Sequence, residues 1–261
     1  MPFDHDRYQA LRRSQTVGVK VAHLEETGST MDDARAGAEA GRAAGTAYVA
    51  ASQRAGRGRM GRSWVSEPGA GLWVTYHLRA RQGAPLLSLA GGLAVAEALE
   101  VVAGLRCELK WPNDVQHGGR KISGVLAEAR PAADGVTDVF LGIGINLRTP
   151  SGLPEDILAA ATSVEQEGRP APSREALLAG LSSALEVRAG QAERDSAGLV
   201  AGWRARLNTL GRRVRLSLPD GSVVEGDAVD ITADGALVIE ADGERRTFTA
   251  GDVTNARTVE A

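Results

Sequence analysis

The stretch Gln53-Arg54-Ala55-Gly56-Arg57-Gly58-Arg59-Met60-Gly61-Arg62-Ser63-Trp64 alternates glycine with arginine and closes on a tryptophan. Glycine costs a helix interior about 1 kcal/mol relative to alanine, so the glycines at 56, 58 and 61 predict a loop. A backbone without side chains can also bring its N–H groups close to a ligand. The arginines at 54, 57, 59 and 62 repel one another unless water or an anion screens them. The pattern predicts a cationic lid that is disordered alone and becomes ordered around an anion, with a polyphosphate as the best-suited one. A solvated surface loop, or an RGG-like segment touching RNA, fits the same residues, and the loop alone does not separate these readings. Its flanks read as strands: Tyr48-Val49-Ala50-Ala51 before it, and Leu72 to Leu78 after it, where apolar and mixed residues alternate as in a half-buried strand.

Further along, Lys110-Trp111-Pro112-Asn113-Asp114 is followed by Lys121-Ile122-Ser123-Gly124. Of the 30 lysines and arginines only three are lysines: Lys20, Lys110 and Lys121. An ammonium is a compact point charge and a guanidinium a planar fork. A position that keeps lysine against so strong an arginine bias is one where the point charge matters, unless the placement is chance.

These segments together resemble biotin–protein ligases. Gly28-Ser29-Thr30, the loop ending in Trp64, Lys110 to Asp114, Lys121 to Gly124 and Gly142-Ile143-Gly144-Ile145-Asn146 occur in that family's order and approximate spacing. The likeness spans about residues 20 to 150, and the last 50 residues are similar to the family's small terminal domain. The resemblance implies an α+β fold: a central mixed or antiparallel sheet flanked by helices, class II synthetase-like, followed by a small SH3-like β-barrel. It implies a catalytic domain over 1–209 and the barrel over 210–261.

The same resemblance implies the chemistry. Biotin is activated with ATP and Mg²⁺ to biotinyl-5′-AMP, then passed to a lysine of a biotin carboxyl carrier protein or domain of an acyl-CoA carboxylase. Carried onto this chain, Lys121, Arg57 and Asp114 are the catalytic candidates. Biotin falls to Ser29, Thr30, Gln53, Arg57, Gly58, Arg59, Trp64, Lys121 and Gly124. ATP and the adenylate fall to Arg57, Arg59, Arg62, Lys110, Asn113, Lys121 and Asn146. Asn113 and Asp114 offer oxygens either to hold the metal or to orient the attacking group. Lys110 is a second phosphate contact or a structural partner of Asp114. Trp64 is a flat wall beside biotin or an ordinary core residue, Ser29 and Thr30 serve equally as a helix cap, and the glycines of 142–146 equally mark a bulge. Two positions depart from the family pattern: Met31, where asparagine is usual, and Met60, where arginine is common.

Composition narrows the alternatives. A net charge of −3 leaves no overall basic footprint for nucleic acid, and no aromatic residue interleaves with Arg57 to Arg62, which counts against RNA. An apolar fraction of 43% and a charged fraction of 24% are those of an ordinary globular protein. The single Cys107 excludes an internal disulfide and suits a reducing cytoplasm. The four histidines lack metal-ligand spacing, and the N-terminus lacks the apolar run of a signal peptide. The family-like region begins almost at once, so a DNA-binding module ahead of it is not expected, nor a membrane anchor; monomer and homodimer both stay open. Lipoate–protein ligase, sharing the reaction type, and a non-catalytic biotin or nucleotide sensor are the rival readings.

Local patterns predict the remaining elements. Residues 1–18 read as a short lead-in helix, and Ser29 or Thr30 caps a helix from Met31 to Ala44. Leu86 to Ala103 is a buried helix. Residues 120–129 and 136–147 form a hairpin about Asp134-Gly135, and residues 150–172 a loop with one short helix. A helix from Ser173 to Leu207 breaks near Gly190 or Gly198, and short strands with turn signals follow from Gly211.

Overall fold

Among the described residues, seven strands make one sheet, five make another, and the helices take their places by their apolar faces. The computed structural model describes residues 3–132, 134–150 and 153–255. The first two residues of the lead-in, residues 151 and 152 of the long loop, and residues 256–261 at the end of the predicted barrel lie outside the described residues. In chain order the elements are α1 (His5–Leu11), β1 (Val21–Thr27), α2 (Thr30–Glu39), β2 (Ala47–Gln53), β3 (Gly71–Ala80), α3 (Leu87–Ala103), β4 (Glu108–Lys110), β5 (Asp114–His117), β6 (Arg120–Pro131) and β7 (Thr137–Asn146). Then come α4 (Glu155–Ala160), α5 (Arg174–Arg194), α6 (Ser196–Arg206), β8 (Arg213–Ser217), β9 (Val223–Ile231), β10 (Leu237–Ala241), β11 (Glu244–Phe248) and β12 (Asp252–Asn255).

The large sheet has the order β1-β2-β3-β7-β6-β5-β4. Only β1 and β2 run parallel; the other neighbours are antiparallel. The parallel pair makes the sheet mixed, and its connection is α2. One face carries α3, whose residues are buried on nearly every side between the sheet and α5. The segment Ala84–Ala103, which ends in α3, is apolar and long enough to cross a bilayer, yet here it is mostly buried and forms the core helix of the fold. The other face carries α2 at one end, through Met31, Ala34, Tyr48 and Phe140, and is otherwise open to the cavity described below.

Local chemistry sets the element ends. Ser29 is in extended backbone (φ −160°, ψ 131°) and its hydroxyl accepts from the Met31 N–H, with Asp32 and Asp33 in the first turn. The alanine run predicts a helix to Ala44, but α2 stops at Glu39. Gly41 takes a left-handed φ of +76°, while the Gly41 N–H donates to the Ala38 carbonyl and the Arg42 N–H to that of Gly37. This is a glycine-terminated Schellman end. The lead-in helix is likewise shorter than the 1–18 reading, covering His5–Leu11 with Asp4 as its cap. The long C-terminal helix breaks near Gly198, at Asp195 (φ −149°, ψ 61°), whose carboxylate caps α6 by accepting from the Gly198 N–H.

The small sheet runs β11-β10-β9-β8-β12, all antiparallel. Trp111 seats it against the first unit. The ring is 2% exposed, and its indole N–H donates to the Gly235 carbonyl at 3.0 Å. The Trp111 backbone N–H donates to the Thr209 hydroxyl, and Arg204 reaches the Ile231 carbonyl and Asp230. Truncating a buried tryptophan typically costs about 3–5 kcal/mol, so this seam is firm.

Candidate active site

Period-two alternation along β7 builds the floor of the site. Gly142, Gly144 and Asn146 share one face, while Ile143 and Ile145 point into the core. Register then places Thr75 of β3 and Leu126 of β6 beside Gly142, and Trp73 and Gly124 beside Gly144. The result is a cavity of about 230 Å³ between this floor, the start of α2 and the arginine–glycine loop.

The glycines are there for Trp64. A Cβ on Gly144 would lie 2.5 Å from the Trp64 ring, and one on Gly124 2.9 Å from it. Only residues without side chains let an indole lie this close to the sheet. Trp64 also meets Trp73 edge-on at 6.4 Å, and the Lys121 ammonium lies 5.2 Å from its ring centroid. Trp64 is thus a cavity wall resting on the sheet rather than a core residue.

A polar wall faces it. Gln53 accepts from the Thr30 N–H at 2.9 Å and the Thr30 hydroxyl at 3.1 Å, and donates to the Ser66 hydroxyl at 2.8 Å. Thr30 and Thr75 share a hydroxyl bond of 2.8 Å. These groups hold one another in place and so present fixed donors and acceptors to the cavity. Met31 lies beneath Gly142, so the residue after Ser29-Thr30 gives the floor an apolar patch.

The loop over the cavity is a twisted hairpin bridged at Gln53–Ser66 and Arg57–Ser63. Arg57 makes a two-bond pair with Asp32 of α2, at 2.9 and 2.7 Å; the guanidinium holds the Asp32 carboxyl below its ordinary range. Arg59 donates to the Asn113 amide oxygen at 3.5 Å and the Gly251 carbonyl at 3.3 Å, and its burial lowers its pKa. Arg62 pairs with Asp252 at 2.9 Å. Met60, the exposed tip, has a left-handed φ of 55°, a conformation that costs a residue with a Cβ roughly 1–2 kcal/mol.

On the far side Lys121 meets Asp114 at 2.6 Å. Asp114 stands opposite Gly124 in the β5–β6 pairing, and a register shift after Val115 sets Lys121 opposite Gln116. Asn113 anchors this corner by donating to the Val125 carbonyl at 2.7 Å. Asn146 donates to the Thr162 carbonyl at 3.0 Å.

Every candidate catalytic or binding residue of the sequence lines this cavity except two. Asp114 joins it through Lys121. Lys110 does not: it lines a separate polar cavity of about 400 Å³ at the seam with the small sheet, beside Glu108, Gln116, Asn208 and Arg212. Its strand partner is Asp114, but the carboxylate there is engaged by Lys121 rather than by Lys110. Residues without a motif complete the lining: Thr75, Val125, and Leu153, Ile157 and Ala161 from the segment around α4. The four-residue spacing of Leu153, Ile157 and Ala161 is the one trace of that apolar rim in the sequence. Among the described residues no group of three histidine, cysteine, aspartate or glutamate side chains is placed to hold a metal.

Comparison with known proteins gives the family. Residues 34–146 match the biotin/lipoate A/B protein ligase family, and residues 209–254 the biotin protein ligase C-terminal domain. The chain is 38% identical over 243 residues to a biotin–[acetyl-CoA-carboxylase] ligase of Mycobacterium tuberculosis, covering 90% of this chain and 88% of that one. A ligase of the same name from Paracoccus denitrificans is 33% identical, covering 80% and 90%. Among solved structures, the biotin protein ligase of Aquifex aeolicus in complex with biotin and ATP superposes with a TM-score of 0.77 at 28% identity, covering 91% of this chain and all of that one. On its sequence, its fold and the residues of its cavity, the chain belongs to the biotin protein ligases of the biotin/lipoate A/B protein ligase family.

Proposed function

We propose that this chain is an ATP-dependent biotin–protein ligase whose acceptor is the biotin carboxyl carrier domain of an acyl-CoA carboxylase. The observation that carries the reading is the Lys121–Asp114–Trp64 corner facing an arginine loop across one cavity. A ligase so named in Mycobacterium tuberculosis supports the choice of carrier.

The first step joins two anions. Biotin carboxylate attacks the α-phosphorus of ATP, the bond to the bridging oxygen of the β-phosphate breaks, and pyrophosphate leaves. Arg59 and Lys121 neutralise the approaching charges, with Asp114 holding the ammonium in place. Ser29, Thr30 and Gln53 meet the ureido ring, Trp64 covers the apolar chain, and Gly58 and Gly124 allow close approach. Arg57 and Arg62 border the phosphates, and Asn146 is the contact for adenine or ribose. The location of Lys110 in the seam cavity argues for a role outside the nucleotide pocket. Mg²⁺ arrives with ATP and usually takes one or two carboxylates besides the phosphates. The oxygens of Asn113, in the cavity lining, and Asp114, beside Lys121, would hold such an ion, which would then supply further charge neutralisation there.

In the second step a carrier lysine amine attacks the mixed anhydride, forming an amide and releasing AMP. The loop, hinged on glycines, shields the adenylate until then. We assign catalysis to residues 1–209 and the terminal unit to 210–261, a division supported by α6 ending at Arg206 and β8 beginning at Arg213. An ATP-consuming reaction and a buried free thiol both suit the cytoplasm.

Pyrophosphate–ATP exchange by the purified protein, with biotin, with lipoate and with neither, tests the reading. Exchange is expected with biotin alone; exchange only with lipoate would replace the substrate, and none with either would remove the activity.

A further inference from the structure

The arginine–glycine loop is tied down at both flanks by carboxylates from elements far apart in the chain. On one side Arg57 is held by Asp32 of α2. On the other Arg62 is held by Asp252, at the start of β12 in the terminal sheet. Next to that pair, the Arg59 guanidinium donates to the Gly251 carbonyl at 3.3 Å. Arg62 closes the set by donating from its Nε to the Arg59 carbonyl at 3.3 Å. The contacts bridge some 190 positions of sequence.

The two anchors are unequal in what they rest on. Asp252 sits on a unit that Trp111 and Arg204 fix to the rest of the fold independently of the loop. Between the tethers, Gly58 and Gly61 have no side chains and Met60 is 50% exposed; the tip is closed by the Gly58 N–H on the Arg62 carbonyl and held from outside by Arg59 on Asn113 and Gly251. The charge balance is unequal as well. Arg57 and Arg62 each have a carboxylate, whereas among the described residues no carboxylate lies within 4 Å of Arg59. Arg59 has only neutral oxygens as partners and is the most buried of the three. It is the cation left over for an anionic ligand, and its place over the cavity depends on its neighbours being neutralised.

We propose that Asp252, with the Gly251 carbonyl, is a positioning residue: the terminal unit holds Arg62 so that Arg59 is presented to the phosphates of the nucleotide. This rests on the ligase reading for what binds, but not for whether the loop is held. Removing the carboxylate frees Arg62, restores repulsion within the loop, and lets Arg59 swing away from the cavity. The predicted consequence is weaker nucleotide capture with intact chemistry once the nucleotide is bound.

Trypsin cuts after arginine, so the loop reports its own freedom. The experiment compares wild type, Asp252→Asn and Asp252→Arg for the rate of cleavage after Arg57 and Arg59, followed by mass spectrometry without added biotin or ATP. It also compares KM for ATP and kcat in biotin-dependent exchange, and repeats Asp252→Asn in an Arg62→Gln background. Asp252→Asn is expected to raise both the cleavage rate and KM about two- to fivefold, the range an exposed ion pair commands, with kcat held. Asp252→Arg, which adds repulsion, is expected to do more. In the Arg62→Gln background Asp252→Asn should add nothing. Unchanged cleavage, an unchanged KM, a fall in kcat instead, or an equal effect without Arg62 would each overturn the proposal. Cleavage needs no substrate, so a wild type without biotin-dependent exchange would sink the ligase reading while the cleavage arm still decided the latch.

Discussion

Lys121 Nζ lies 2.6 Å from Asp114 Oδ1 across the β5–β6 pairing, and the same ammonium faces the Trp64 ring from 5.2 Å. A lysine stem is flexible. Here a carboxylate and an aromatic face fix where its charge stands, at the corner where the proposed reaction brings a carboxylate to a phosphate. The partial exposure of both partners, 29% and 19% of their side chains, leaves the ammonium able to turn toward a ligand.

Lys121→Ala should therefore reduce biotin-dependent pyrophosphate exchange by about 10²–10³ in kcat, the scale seen when one electrostatic donor is removed from an active site, with the thermal midpoint little changed. Lys121→Arg should recover only part of the loss, because a planar fork cannot occupy a point-charge position equivalently. Near-wild-type exchange by Lys121→Ala would take this residue out of the catalytic set.

Gly144 tests the Trp64 wall. Alanine there brings a Cβ to 2.5 Å from the indole, and since the strand is fixed on both sides by β3 and β6, the ring must yield. Gly144→Ala is expected to tilt Trp64 out of its slot, raising KM for biotin at least tenfold and changing tryptophan emission. Overpacking of this kind costs about 1–3 kcal/mol, small enough to keep the fold, which circular dichroism would check. An unchanged KM would mean that the indole does not border the biotin site.

The sheet floor and the loop are legible in the sequence because each rests on short-range pattern. Gly142-Ile143-Gly144-Ile145-Asn146 alternates with period two, and glycine with arginine has no stable helix or strand to form. The lysine scarcity isolates Lys121 for the same reason. Pairings over long distance are not legible. Asp32 and Asp252 are unremarkable acids until folding sets them beside Arg57 and Arg62, and β1, which no motif marks, acquires its parallel partner only through α2. The early end of α2 turns on whether Gly41 adopts a left-handed turn, which a run of alanines conceals. Lys110 misleads because a motif specifies neighbours in sequence, whereas the β4–β5 hairpin sends its side chain to the seam.

Cys107 supplies a pH dependence of known sign. Its thiol is 2% exposed, and burial pushes its pKa up to about 12, with nearby Glu108 acting in the same direction. The folded state therefore holds the thiol proton more tightly than the unfolded chain, where a cysteine ionises near 8.5. The resulting stabilisation is complete below the unfolded value and is lost as pH rises toward 12, at up to about 1.4 kcal/mol per pH unit. Cys107→Ala lacks this titration. Plotted between pH 8 and 10.5, the stability advantage of wild type over Cys107→Ala should shrink as pH rises. The native thiol should also resist iodoacetamide at pH 8 and react fully once urea unfolds the chain. Rapid alkylation of the native protein, or a stability difference flat across that range, would show that Cys107 is open to solvent rather than buried in the core.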